Sequence, residues 1–584
     1  MPSSVPFTSG AGSICRWSHR MSAAGSATPA FSGWLDDFFD SYYRRRPVNA
    51  TFIGRHEHDH RLPDLSEAGI DAVRSDMRTL RTRLTALPEE PLSQAQTLDR
   101  QLAAGFLEIQ EWEYESPAFW RGNPSLATGE AAFRIISLFL RRFAPLDERV
   151  EAAIQRMEAL PDFLAQARAT VRSASPAWTE RAIRECDGML ALLGDGIDQL
   201  IADEGITQPL LRTAADRARQ VVAEHLANLE QALSTSSDGS IACGEEALDR
   251  YIRRGHFLDQ SASKIEAEAL DELDRSRARL SELATAAGVD SWQQGLALLA
   301  DAHPTAAQYE QRYAEVWQSA REAALAHDLI SWPDYPIRYL PRPRWTRSAA
   351  PSLYFLFYRA PAALDRVDVV DYLISPLTPE MTSDEQERLL RSTNDSVITL
   401  NHVVHHGGLG HHVQNWHAYR AESRVGRIAA VDCASRIALF CGGTMAEGWA
   451  CYATELMDEI GFLSPLQRIA EAHSRLRMAA RSIVDVRIHT NRLTLEEAAR
   501  FYTEQTAMPP DAARQEAIKN SMFPGAALMY LAGTNQIWQL RRERERIEGA
   551  GFNLRRFHDH FLSYGSIPVT LIAEAMNRSA DSAV

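Results

Sequence analysis

The sequence predicts an all-α protein that carries one small β-hairpin or sheet. Three observations lead to this fold class. Apolar side chains recur every three or four residues through most of the 584-residue chain, which is the period of an amphipathic helix. Short clusters of breaker residues separate these stretches. Residues 332–358 form the one strand-like region, rich in proline and aromatic residues.

Residues 1–30 are rich in serine, alanine and glycine and lack the apolar core of a secretion signal. We expect a disordered leader there, and the sequence leaves Met1 and Met21 as alternative starts. Apolar residues from Phe31 onward then predict a helix that ends at Pro47.

The segment from Pro47 to Gly54 is interpreted as a loop that leads to a helix capped near Ser66. The amphipathic stretches that follow, up to Leu233, predict long antiparallel helices. The breaker cluster Ser234–Ser240 interrupts them. We therefore expect one helical body over residues 31–584, with lobes over residues 31–235 and 241–584.

Helical patterning resumes over residues 244–302 and 305–327. Two short segments, Ile337–Leu340 and Leu353–Tyr358, then predict the strands of the hairpin or sheet. The residues that begin at Thr382 have the spacing of a capping box, which predicts a helix running toward the histidine-rich stretch described below.

The composition restricts the class of protein. With 45% hydrophobic and 24% charged residues it is typical of a globular protein, and no apolar run of about 18 residues is present, so we predict no membrane insertion. The net charge of −15 argues against nucleic acid as a partner. The six cysteines form no Cys-x-x-Cys pair and are interpreted as reduced thiols of a cytoplasmic protein.

Histidine is concentrated between Asn401 and Arg420. Imidazole is a common zinc ligand and a good proton carrier near neutral pH, so this stretch predicts a metal or acid–base site. A solvent-facing, histidine-rich segment without a fixed role is the alternative. Six of the chain's 18 histidines fall here, namely His402, His405, His406, His411, His412 and His417.

The histidine spacing requires an interrupted helix. His405 and His411 are six residues apart, which on an ideal helix is about 9 Å of rise and about 600° of rotation, so the two side chains cannot share an ion. Three glycines between them supply a break, because each glycine weakens a helix by about 1 kcal/mol. His402 and His406, four residues apart, are the alternative pair on a regular helix.

An acidic partner is expected on a later helix. Glu447 lies far enough beyond the histidines for one helix to end and another to return. The alternative for Glu447 is a carboxylate placed at a helix start by the helix dipole. Further along, Arg481, Asp485 and His489 recur every four residues in a mostly apolar helix, which favours the wall of a polar cleft.

Several segments of the chain recur together in one protein family. They are His405 to Gln414, Glu447-Gly-Trp-Ala, Arg481 to His489, Pro524-Gly525 with Tyr530 and Gly533, Phe557-His-Asp559 with Gly565 and Pro568, and more weakly Pro47 to Ser66. In this combination they resemble a family of predicted zinc-dependent hydrolases catalogued as domain of unknown function 885 (DUF885). The resemblance implies a helical, cleft-bearing fold similar to metallopeptidases of the thimet oligopeptidase and carboxypeptidase Taq types, with Zn²⁺ or another divalent metal at the cleft floor.

The chain departs from the family motif His-Glu-x-x-Pro-Gly-His-His at the position of the glutamate, where His406 stands. Carried over by position, the resemblance implies that His405, Glu447 and either His411 or His412 bind the metal. It also places His406 at the general-base position. An imidazole can take a proton from water but lacks the negative charge of the carboxylate.

We therefore predict a metal-dependent enzyme, and most directly a hydrolase acting on an amide, peptide or ester bond of a small molecule or short peptide. The predicted ligands are His405, His411 and Glu447, the proton carriers His406 or His412, the oxyanion donors His489 and Tyr530, and the further cleft residues Arg481 and Asp485. A metal-dependent lyase, dehydratase or other biosynthetic enzyme is the first alternative. A non-catalytic descendant that binds a ligand in the cleft is the second.

Overall fold

The computed structural model describes residues 29–88, 91–116, 119–235, 240–353, 363–364, 368–429 and 436–581. Helices dominate these residues, which confirms the predicted all-α class. The predicted leader lies outside the described residues, except that its last two residues already belong to the first helix. None of the helices described is both long and apolar enough to cross a membrane.

The helices follow one another in two runs. In residues 29–235 they are α1 (Pro29–Arg45), α2 (Pro47–Ile53), α3 (Glu67–Thr85), α4 (Gln94–Glu115), α5 (Pro124–Phe139), α6 (Leu146–Glu158), α7 (Leu160–Thr170), α8 (Pro176–Ala191), α9 (Ile197–Glu204) and α10 (Pro209–Thr235). In residues 240–581 they are α11 (Glu245–Arg250), α12 (Ala262–Ala287), α13 (Trp292–Asp301), α14 (Tyr309–Ala326), α15 (Arg344–Arg347), α16 (Ser383–Ser392), α17 (Asp395–Val397), α18 (His411–Ala418), α19 (Arg424–Ile428), α20 (Arg436–Glu459), α21 (Pro465–His489), α22 (Leu495–Thr506), α23 (Pro510–Met522), α24 (Met529–Glu548), α25 (Leu554–Ser563) and α26 (Val569–Asp581). Three π-helical segments, Leu192–Gly196, Tyr251–Gly255 and Ile398–Gly407, and one 3₁₀ turn, Gly549–Gly551, complete the helical structure described.

The predicted loop after Pro47 is wrong, because this segment forms α2. Pro47 occupies the first turn of this helix. Backbone N–H groups in a first turn have no intrahelical acceptor, so a proline there costs no hydrogen bond. Gly54 then ends the helix at φ 89°, a left-handed conformation that favours glycine. The cap at Ser66 is confirmed, since its side chain accepts a hydrogen bond from the N–H of Gly69.

A small sheet is confirmed, but a hairpin is wrong. Strands β1 (Ile337–Pro341) and β2 (Val370–Ile374) run parallel, with Ile337 opposite Val370. Parallel strands need a crossover connection, whereas a hairpin joins antiparallel strands by a turn. Of the second predicted strand, residues 353–358, only residue 353 belongs to the described residues.

Apolar packing continues across the predicted lobe boundary. The largest core joins Trp34 and Phe106, from the first run of helices, to Val403, Trp449 and Phe561 from the second. A second core lies mainly in residues 127–229 and also takes in side chains near α15. The histidine-rich stretch and α20 therefore both pack into the main core of the molecule.

Candidate metal centre

The histidine-rich stretch is an interrupted helix, as predicted. The π-helical segment carries His405 and His406 in its last turn, and α18 begins at His411. The backbone between them leaves the helical region, with ψ −118° at Gly410. A β-carbon on Gly410 would overlap the carbonyl oxygen of His405, so glycine is what allows the two helical segments to approach.

Two tryptophans satisfy the carbonyl groups exposed by this break. The indole N–H of Trp317 donates to the carbonyl of Gly407 at 2.9 Å. The indole N–H of Trp449 donates to the carbonyl of Leu409, also at 2.9 Å. Since Trp449 lies two residues after Glu447 on α20, the same hydrogen bond fixes this helix against the histidine segment.

Three histidines converge at the break. The ligand nitrogens of His405, His406 and His411 all lie within 4.8 Å of one another. The ring of His405 lies 4.6 Å from that of His406 and 4.9 Å from that of His411, measured between centroids. Neutral imidazoles at this separation can place their lone pairs on one metal ion.

Glu447 approaches two of these rings. Its Oε2 lies 3.5 Å from Nε2 of His405 and 3.8 Å from Nε2 of His411. Zn–N and Zn–O bonds are about 2.0–2.2 Å long in a tetrahedral site, so neighbouring ligand atoms lie about 3.3–3.5 Å apart. The arrangement of these three side chains therefore fits a shared ion.

The protonation states of the cluster also suit a metal. Burial alone would raise the pKa of Glu447, but the hydrogen bond with His405 and the nearby ring of His411 hold it at about 2. Burial lowers the pKa of His406 well below its usual value, and the rings of His405 and His411 lower it further. The Glu447 carboxylate is thus charged and His406 is neutral, and each is in a state that can bind a metal ion.

Hydrogen bonds fix which ring nitrogens face the cluster. Nδ1 of His411 lies 3.0 Å from the amide oxygen of Gln414, and the Gln414 amide N–H donates to the hydroxyl of Ser566 at 2.5 Å. Nδ1 of His406 donates to the carbonyl of Asn401 at 2.6 Å. Both Nε2 atoms therefore carry the lone pair. Nε2 of His411 is buried and accepts no hydrogen bond within the described residues, as expected for a metal ligand.

A close crossing of α20 and α24 brings Glu447 near Tyr530. Gly448 and Gly533 face each other at the crossing, and a β-carbon on Gly533 would overlap the carbonyl of Thr444. Burial raises the pKa of Tyr530 well above its usual value, and the charge of Glu447 raises it further. The hydroxyl of Tyr530 makes no hydrogen bond in the described part of the chain, so it remains available as a donor.

Arg481 supports Tyr530 from the neighbouring helix α21. Its guanidinium lies 5.0 Å from the centroid of the Tyr530 ring, within cation–π range. Its Nε donates to Glu516 at 2.6 Å. Arg481 is the predicted cleft residue that reaches the tyrosine beside the cluster.

The other two members of the α21 stripe have structural roles. The carboxylate of Asp485 accepts hydrogen bonds from three backbone N–H groups, those of residues 525, 527 and 528 just before α24, each at 3.0 Å. Nε2 of His489 lies 3.0 Å from the carbonyl oxygen of Asn520. Nδ1 of His489 accepts a hydrogen bond from the backbone N–H of Cys243 at 3.4 Å. Both ring nitrogens of His489 make hydrogen bonds within the protein, so His489 does not fit its predicted role as a hydrogen-bond donor to an oxyanion.

Two further histidines lie outside the cluster. Nε2 of His412 hydrogen bonds to the carbonyl of Tyr335 at 2.6 Å, and the two rings stack. Nδ1 of His402 lies 2.5 Å from the hydroxyl of Tyr372 on β2. The cluster therefore selects His411 over His412 as the ligand candidate, and it does not contain the alternative pair of His402 with His406.

Arg477, which was not among the predicted site residues, lies one turn before Arg481 on the same face of α21. The four-residue period that identified Arg481, Asp485 and His489 extends back to it and could have found it. Arg477 is partly buried, and its Nε is buried without a hydrogen-bond partner in the described residues.

Comparisons with known proteins give a family and a fold. Two solved structures have TM-scores of 0.76 and 0.77, one from Shewanella oneidensis and one from Colwellia psychrerythraea. The Shewanella structure is 22% identical in sequence, and the match covers 94% of this chain and 100% of the Shewanella chain. The Colwellia structure is 17% identical, and the match covers 95% of this chain and 99% of the Colwellia chain. Both are described as a "putative lipoprotein", the first of unknown function. No curated protein matches this chain.

The family comparison agrees with the motifs. The pattern of the family described as bacterial proteins of unknown function, DUF885, matches residues 47–576. This range includes the whole of the histidine cluster and of helices α2 to α25. The chain therefore belongs to the DUF885 family.

Proposed function

We propose that this protein is a zinc-dependent hydrolase in which His405, His411 and Glu447 hold the metal ion. The observation that carries the proposal is the approach of Glu447 Oε2 to within 3.5 and 3.8 Å of the two Nε2 atoms. The buried lone pair of His411 supports it, because a metal ion would supply the partner that this atom lacks in the described residues.

Each remaining group has a task in hydrolysis. A zinc ion bound here would polarise a carbonyl group and lower the pKa of a water molecule. Nδ1 of His406 is bonded to the carbonyl of Asn401, so Nε2 carries the lone pair and can accept a proton. The hydroxyl of Tyr530 can donate a hydrogen bond to the oxyanion that develops on the substrate, and Arg481 holds the tyrosine ring in place.

The substrates proposed are amides, peptides or esters of small size. The test is a panel of such substrates, assayed with protein as purified, with protein stripped by a chelator, and with stripped protein reloaded with zinc. We expect turnover that is lost on stripping and restored by zinc. Intact zinc binding without turnover of any amide, peptide or ester would overturn the hydrolase proposal and favour a lyase or another metal-dependent reaction.

A matched pair of histidine variants accompanies the panel. His405→Ala should lose both zinc and activity, whereas His412→Ala should keep zinc because the ring of His412 faces Tyr335. The melting temperature of each variant separates loss of zinc from loss of fold.

A further inference from the structure

A second cleft opens between helices α12, α20, α21 and α24. Its volume is about 600 Å³, within the range of about 300–1,000 Å³ that is usual for small-molecule sites. Its lining includes Arg275, Arg475 and Arg542, and we call it the arginine cleft. Glu455, which also lines it, follows Glu447 by eight residues on α20, a distance of about 12 Å along the helix axis. The arginine cleft is therefore separate from the metal centre.

Arg475 is held in a fixed position in this cleft. Its Nε and Nη2 donate to the two carboxylate oxygens of Glu272 at 2.7 and 3.2 Å. Its Nη1 donates to Glu455 at 2.6 Å, and its Nη2 also donates to the amide oxygen of Asn535 at 2.6 Å. Because these bonds connect α21 to the three other helices, the guanidinium is a pre-formed part of the wall.

Most acceptor atoms of the arginine cleft are already occupied. Each oxygen of Glu272 accepts two hydrogen bonds from side chains, which uses all the lone pairs of this carboxylate. One oxygen of Glu455 accepts from Arg475, and the other accepts from the indole N–H of Trp538. The amide oxygen of Asn535 also accepts from Arg475. A ligand in this cleft therefore meets few free acceptors.

Donor groups remain free on α12 and α24. Nδ2 of Asn535 and the guanidinium of Arg542 make no hydrogen bond within the described residues. Arg275 uses only Nη2, which donates to Glu272 at 2.8 Å. The exposed side chain of Gln539 is likewise unbonded in the described part of the chain and offers one further N–H group. The arginine cleft thus suits a ligand that supplies hydrogen-bond acceptors.

The charges of the lining favour an anion with a single charge. Three guanidinium groups face two carboxylates, which leaves one positive charge in excess. Glu471, one turn before Arg475, adds no charge because burial raises its pKa well above the usual value. Asp271 and Glu543, next to the lining in sequence, form no ion pair among the described residues. Their negative charges disfavour a dianion such as phosphate.

We propose that the arginine cleft binds a small hydrophilic carboxylate at a site separate from the metal centre. Guanidinium and amide N–H groups match the two acceptor oxygens of a carboxylate. The lining is polar apart from the ring of Trp538, so the rest of the ligand is polar as well. The site shares no residue with the proposed metal centre and does not depend on the proposed hydrolase activity.

The test is equilibrium binding to protein from which a chelator has removed the metal, so that the metal centre cannot hold the ligand. N-acetylglycine and N-acetylglycinamide, which differ only in the carboxylate, are titrated by calorimetry. We expect saturable binding of one acid per chain, roughly tenfold or more tighter than binding of the amide. Arg542→Gln should remove this preference without unfolding the protein, because Arg542 is exposed and forms no ion pair or hydrogen bond among the described residues.

A matched control lies one turn further along α24. Arg546 is exposed, forms no ion pair or hydrogen bond in the part of the chain described, and does not line the arginine cleft. Arg546→Gln removes the same charge from the same helix, so it should bind the acid as tightly as the wild type does.

Four results would contradict the inference. Absence of saturable acid binding, equal affinity of the wild type for acid and amide, or an unchanged preference in Arg542→Gln would overturn the site. Tighter Arg542-dependent binding of inorganic phosphate than of the acid would overturn the carboxylate assignment. Reloading the protein with zinc should leave the affinity for the acid unchanged; acid binding that requires zinc would place the carboxylate at the metal centre instead.

Discussion

The amide oxygen of Gln414 lies 3.0 Å from Nδ1 of His411. Because the amide N–H of Gln414 donates to Ser566, the oxygen is the atom that faces the ring. This hydrogen bond places the proton of His411 on Nδ1 and the lone pair on Nε2, the atom near Glu447. Gln414 is thus a positioning residue for the proposed ligand.

Gln414→Leu should weaken zinc binding by roughly 10- to 100-fold, the effect typical of losing the hydrogen-bond partner of a ligand histidine. Gln414→Glu should retain tight binding, since a carboxylate can accept from both Nδ1 of His411 and the hydroxyl of Ser566. Competition with a chromogenic chelator measures both affinities. Equal zinc affinity in wild type and Gln414→Leu would show that this hydrogen bond does not orient a ligand.

His406 and His405 should differ when each is replaced by alanine. His406 is proposed to carry a proton, so His406→Ala should keep zinc but reduce kcat/KM by roughly 10²-fold or more. His405→Ala should lose zinc. Metal analysis and steady-state kinetics on the same preparations check this; loss of zinc from both variants would make His406 a ligand instead.

The crossing of α20 and α24 should not tolerate a β-carbon. Gly533→Ala would place a methyl group against the Thr444 carbonyl, and such overpacking typically costs about 1–3 kcal/mol or more. Gly129→Ala is the matched control, because nothing lies within 4 Å of a β-carbon at that helical position. Gly129→Ala should raise the free energy of unfolding by about 0.5–1 kcal/mol, because alanine favours a helix more than glycine does. Melting temperatures that fall for Gly533→Ala and rise for Gly129→Ala are expected; unchanged stability of Gly533→Ala would contradict the close crossing.

The ion pair of Arg481 with Glu516 should contribute to stability in a pH-dependent way. Burial alone would raise the pKa of Glu516, but Arg481 and Lys519 hold it at about 2, below the ordinary value of 4.5. The contribution is therefore complete above about pH 4.5 and is lost as the pH falls toward 2. When the pH falls from 5 to 3, the free energy of unfolding of the wild type should decrease by roughly 1–2 kcal/mol more than that of Glu516→Gln. Urea midpoints at the two pH values measure this, and identical losses would argue against the depressed pKa.

Much of the helical fold was predictable because it depends on local signals. The cap at Ser66 and the capping box at Thr382 both formed as their spacing indicated. The segment after Pro47 was misread because proline both ends one helix and begins another. The parallel pairing of β1 with β2 could not be predicted, because it is a non-local contact that composition does not encode.

The candidate site was predictable where spacing alone constrains it. The six-residue gap between His405 and His411 required a break, and the structure has one. The roles of His412 and His489 could not be predicted, because their partners are backbone carbonyls from distant parts of the chain. A histidine directed at a carbonyl and one directed at an ion have the same local sequence.

The most direct test of the metal centre is the zinc content of purified protein prepared without chelators. We expect one zinc ion per chain in the wild type, and its loss in His405→Ala, His411→Ala and Glu447→Ala, with native circular dichroism retained. Wild-type protein that holds no stoichiometric metal, or a Glu447→Ala variant that holds as much zinc as the wild type, would contradict it.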